Sequence, residues 1–102
     1  MSERDNGFFD RADAYIKLAN TQMEKGIQAG EVSPSFMYGL ARYSAWFTAS
    51  GWTNAQDMTD AKDETVKFFV SEFRRMLELN MEDYIQNFDN YVQASEQLQN
   101  KG

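Results

Sequence analysis

Apolar residues recur along most of this chain at intervals of three and four, which is the spacing of amphipathic α-helices. Neither glycine nor proline occurs anywhere from Trp52 to Lys101, so nothing there interrupts long helices. The pattern predicts an all-α fold, a compact bundle of three to four helices. Their predicted bounds are about 8–28, 34–50, 54–79 and 81–98.

The ends of the second and third helices carry recognisable signals. Ser33 is a typical N-cap, and Pro34 fits the first helical position, where its missing N–H costs nothing. Gly51 suits the position just past the end of this helix. Thr53 or Asn54 is expected to cap the third helix.

The junction between the third and fourth helices has two interpretations. Only Asn80 interrupts the helical pattern there. At 100° per residue, however, the apolar stripe of the fourth helix is rotated by about 70° from that of the third. That offset favours a break near residues 79–81, while one long helix through Asn80 is the alternative.

The second helix is unusually poor in charge. Between Glu31 and Asp57 the only charged residue is Arg42, whereas a helix exposed along one side normally carries several charges. We therefore expect this helix to be surrounded. Either it is central in the bundle, or a second copy of the protein covers it.

An enclosed Arg42 would need an anionic partner, because a buried unpaired charge is costly. Asp13 on the first helix and Glu72 on the third border apolar faces and are the preferred candidates. One interpretation is a structural ion pair that fixes helix packing. The other is a small-anion site, in which rings line the guanidinium. The candidate cluster comprises Arg42, Tyr38, Tyr43, Trp46, Asp13 and Glu72.

The C-terminal part of the chain contains a short heptad pattern. Its positions are Met81, Tyr84, Phe88, Tyr91, Ser95 and Leu98. The pattern is too short for an independent coiled coil, so it predicts a packing face, within the bundle or against a symmetric copy. Tyr84, Phe88 and Tyr91 are the candidate interface residues.

The composition excludes most catalytic templates. The chain has no histidine and no cysteine, which removes the commonest general base, the commonest metal ligand and any thiol nucleophile. A formal net charge of −6 disfavours nucleic acid and anionic membranes. The four acids between Asp57 and Glu64 match the start of a helix better than a calcium loop. We expect no metal, no cofactor and no catalytic residue.

The length of the chain indicates the number of domains, and the absence of targeting signals indicates where the protein is expected. The 102 residues fit one domain, 1–102, with short flexible ends at about 1–6 and 97–102. No segment resembles a signal peptide or is apolar for long enough to cross a bilayer. A cytoplasmic protein is the simplest expectation.

Three stretches resemble an uncharacterised bacterial family, domain of unknown function three-one-four-four, which is found chiefly in proteobacteria. They run from Phe8 to Asn20, from Val32 to Tyr43 and from Met76 to Asp89. The resemblance implies a small helical intracellular protein. It implies no activity, cofactor or catalytic residue.

The function indicated by these features is a non-enzymatic protein-interaction role. The charge-poor second helix and the aromatic faces predict a homodimer or an unidentified protein partner. The alternative is a small-anion or metabolite-binding domain centred on Arg42. An enzyme is not expected.

Overall fold

The computed structural model describes residues 6–90, which contain three long helices and no strand, so the all-α prediction is confirmed. The first helix, α1, is Phe8–Glu24, and the second, α2, is Ala29–Ser50. The third, α3, is Ala55–Gln86.

The chain divides into two compact units, Met1–Thr53 and Asn54–Gly102. In the first unit α1 and α2 contact each other. In the second unit the described part is α3, followed by a turn at Asn87 and helical backbone from Phe88 to Asn90. The single-domain assignment stays a prediction. Of its flexible ends, residues 1–5 and 97–102 lie outside the described residues.

The C-terminus of α1 has a glycine-dependent geometry. The N–H of Lys25 donates to the carbonyl of Gln22 at 3.1 Å, and that of Gly26 to the carbonyl of Met23 at 3.0 Å. Gly26 adopts a φ of +91°, which L side chains rarely adopt. The helix therefore ends at Glu24, four residues before the predicted end at residue 28.

The start of α2 differs from the prediction. The helix begins at Ala29 rather than at Pro34, so Ser33 is not its N-cap and Pro34 lies inside it. At the observed start, the Glu31 carboxylate accepts a hydrogen bond from the N–H of Gln28 at 3.1 Å. This contact between the side chain of Glu31 and the backbone of Gln28 stabilises a first turn ahead of the proline. The predicted end is correct, because α2 stops at Ser50.

The α3 helix starts as expected but ends later. The side chain of Asn54 accepts from the N–H of Asp57 at 2.9 Å, which is a standard N-cap. The predicted break near residues 79–81 is wrong, because α3 runs through Asn80 to Gln86. Asn80 donates its amide to the carbonyl of Met76 at 2.8 Å, so its side chain is satisfied without interrupting the helix. Most of the predicted fourth helix, 81–98, thus belongs to α3 or lies outside the described residues.

Very little of the described chain is buried. Val32, 6% exposed, is the only buried residue between residues 6 and 90. The large side chains of α2 are exposed in its own unit, and the central position of this helix in the bundle stays a prediction.

Candidate interaction surfaces

Arg42 lies on an exposed side of α2 and forms no hydrogen bond or ion pair with the described residues of its own unit. Tyr38 and Trp46, one turn before and one turn after it, lie on the same side of the helix and are 69% and 61% exposed. The rings of Tyr43 and Trp46 are 5.6 Å apart with an interplanar angle of 43°. Tyr38, Arg42 and Trp46 thus form one exposed row along α2, and Tyr43 lies beside Trp46 at the edge of the neighbouring side.

The two acids proposed as partners of Arg42 have other surroundings. Glu72 accepts a hydrogen bond from Arg75, three residues further along α3, at 3.1 Å. Asp13 is exposed on α1. Arg42 is exposed in its own unit, and its pairing with Glu72, which lies in the other unit, stays a prediction.

The opposite side of α2 carries an apolar stripe that is also exposed. Its four side chains, which we call the α2 stripe, recur at steps of four, three and four residues. They are Phe36, Leu40, Tyr43 and Phe47, and each is more than two fifths exposed. With apolar side chains on one side and a Tyr–Arg–Trp row on the other, α2 exposes Arg42 as its one charged residue after Glu31.

A second exposed stripe, which we call the α3 seam, runs along α3 and just past its end. It consists of Val66, Val70, Phe73, Leu77, Met81, Tyr84 and Phe88. These side chains are between 42% and 62% exposed. Their steps of three and four residues place them on one side of the helix.

The sequence located only the last three of these residues. Tyr84 and Phe88 are part of the seam, and Tyr91 lies outside the described residues. The first four were missed because a break at Asn80 separated the two halves of the stripe. Continuing the same spacing backwards from Met81 would have found them.

The described residues offer no group of three or more His, Cys, Asp or Glu side chains that could hold a metal ion. In the same part of the chain, no helix is both long and apolar enough to span a bilayer.

Known proteins place the chain in a family and support its fold. An NMR structure of the protein NB7890A from Shewanella sp is 46% identical in sequence, with a TM-score of 0.74. That match covers 88% of this chain and 95% of the Shewanella chain. No curated protein matches the chain. A family model described as protein of unknown function, DUF3144, matches residues 8–85, and the chain belongs to this family.

Proposed function

We propose that this chain is a non-enzymatic interaction protein that works as a homodimer. The observation that supports the proposal is the near absence of buried side chains among residues 6–90, where only Val32 is buried. Soluble monomers rarely leave large contiguous apolar patches in water, and such patches usually mark interaction sites.

Helix propensity alone does not compensate for the missing core. Isolated helices are marginal in water, and most helical stability in proteins comes from packing an apolar face. The α2 stripe and the α3 seam together expose eleven large apolar side chains. Burial of one such side chain stabilises a protein by about 1.5–3 kcal/mol. A second copy would supply a surface against which such side chains can pack.

The absence of an enzymatic role is proposed from the residue types. Without histidine or cysteine, a catalytic site would depend on carboxylates or lysines. Several of its acids cap or bridge turns of their own helices, among them Glu31, Asp57, Glu72 and Glu78. We also propose a cytoplasmic location, in keeping with a chain that has no cysteine to form disulfides.

The alternative of an anion site at Arg42 has less support. Its favourable feature is the exposed guanidinium between Tyr38 and Trp46. Ligand sites are usually concave and enclose most of the ligand, whereas Tyr38, Arg42 and Trp46 occupy one exposed side of a single helix.

Sedimentation equilibrium at micromolar concentration tests the proposal. The chain has a mass of 11.8 kDa, and we expect the measured mass to be twice this value. A folded protein that sediments with the mass of one chain at every concentration would exclude self-association.

A further inference from the structure

The α3 seam has the dimensions of a helix–helix contact. Its residues span Val66 to Phe88 with an average step of about 3.7 residues, so the stripe follows a nearly straight line along the helix. Its length is about 33 Å. Within its own unit, α3 has no second long helix among the described residues to pack against this stripe.

The area of the seam matches the requirement of a stable dimer. From the exposed fractions of its seven side chains, the seam presents roughly 650 Å² of apolar surface per chain. Two seams in contact would bury about 1,300 Å², which is above the roughly 1,000 Å² of a specific interface.

The charge along the seam permits approach of an identical surface. From Val66 to Phe88 the chain has three cations and four acids, a net charge of −1, although the whole chain carries −6. The cations that flank the seam form ion pairs within the helix. The Nζ of Lys67 lies 4.0 Å from the Oε1 of Glu64, and the Nε of Arg74 lies 3.3 Å from the Oε2 of Glu78. The dense acids of α3, Asp57 to Glu64, precede the seam. The mutual repulsion between two copies at the seam is therefore weak compared with that expected from the net charge of the whole chain.

We propose that the α3 seam is the surface on which a second copy of this chain docks, with helix packed against helix. This inference rests on the proposed function and identifies the surface that carries it. A second copy fits this surface, because two seams in contact have the area of a specific interface and each carries little net charge.

A matched pair of substitutions on α3 tests the location. Leu77 belongs to the seam, while Leu79 is rotated by about 200° from it on the same helix. Their side chains are 45% and 58% exposed. We expect Leu77→Glu to raise the dimer dissociation constant by about 100-fold or more, because it buries a carboxylate at the contact. Leu79→Glu should leave the dissociation constant within about threefold of the unmodified chain.

The outcomes separate this inference from the proposed function. If the unmodified chain is a monomer, both are overturned. If it is a dimer that Leu77→Glu leaves intact, or that Leu79→Glu disrupts equally, the seam is not the interface, although self-association stands.

Cross-linking keeps the test decisive if Leu77→Glu prevents folding. The natural chain has no cysteine, so one introduced cysteine carries a benzophenone label at a single site. A label on Arg74→Cys, beside the seam, should cross-link to residues 66–88 of a second copy. A label on Leu79→Cys should give little product of dimer size. Cross-links from Arg74→Cys to other parts of the second copy, or none, would overturn the proposal.

Discussion

Arg42 lies on an exposed side of α2, whereas the sequence suggested an enclosed position beside a carboxylate. The guanidinium is exposed and unpaired within the described part of its unit. We expect Arg42→Gln to change the free energy of unfolding by less than about 0.5 kcal/mol, as is usual for surface substitutions. Urea unfolding provides the measurement. A loss of about 3–5 kcal/mol would instead show that the charge belongs to a buried pair.

The same variant tests the anion-site alternative. We expect inorganic phosphate at millimolar concentration to shift the melting temperatures of the natural chain and of Arg42→Gln equally. Stabilisation that is restricted to the natural chain would favour anion binding at Arg42.

We expect substitution by alanine to change the free energy of unfolding in opposite directions at two glycines. Gly39 lies inside α2. Apart from its chain neighbours and the nearby backbone of the same helix, no atom lies within 4 Å of the position that a Cβ would take. Gly39→Ala should raise the free energy of unfolding by about 0.5–1 kcal/mol. Gly26→Ala should lower it by about 1 kcal/mol, because the φ of +91° is strained for alanine. Destabilisation by Gly39→Ala in thermal unfolding would indicate that another backbone approaches α2 closely at this residue.

Among the helices, the sequence predicted a helix end correctly where a single residue determines that end. The Asn54 cap and the end of α2 at Ser50 were predicted correctly. The start of α2 was not, since Ser33 and Pro34 form a standard start signal but the contact between Glu31 and Gln28 extends the helix backwards. Asn80 was taken as a breaker, although its amide bonds back to Met76. Such competing side-chain bonds depend on conformation and are not visible in a hydrophobic pattern.

The position of Pro34 inside α2 gives a test at this scale. Pro34 has no N–H to donate to the carbonyl of Gly30, so one helical hydrogen bond is missing. Its ring also disfavours the helical conformation of the preceding residue, Ser33. We expect Pro34→Ala to raise the free energy of unfolding by roughly 1–3 kcal/mol in urea titrations.

Ser33→Ala provides the control for that prediction. For a helix that begins at Ala29, this change should be nearly neutral, since Ser33 is an interior residue. A cost of about 1 kcal/mol for Ser33→Ala, with no gain from Pro34→Ala, would show that the helix begins at Pro34.

For the whole molecule, the sequence identified the family and the all-α class but not the extent of burial. Periodicity shows which side of a helix is apolar, and it does not show whether that side is covered by the same chain or by another. The lack of charge on α2 was therefore compatible with a central helix and with a covering second copy. The α2 stripe and the Tyr38–Arg42–Trp46 row are both exposed within their own unit.

A dimer that supplies the missing core should couple folding to association. The chain alone buries one residue between residues 6 and 90, so dilution should remove both the dimer and its helices. Far-ultraviolet circular dichroism during thermal unfolding, recorded from high micromolar to low nanomolar concentration, measures this coupling. We expect the melting temperature to fall steadily on dilution. A cooperative melting temperature that is identical at every concentration would contradict it.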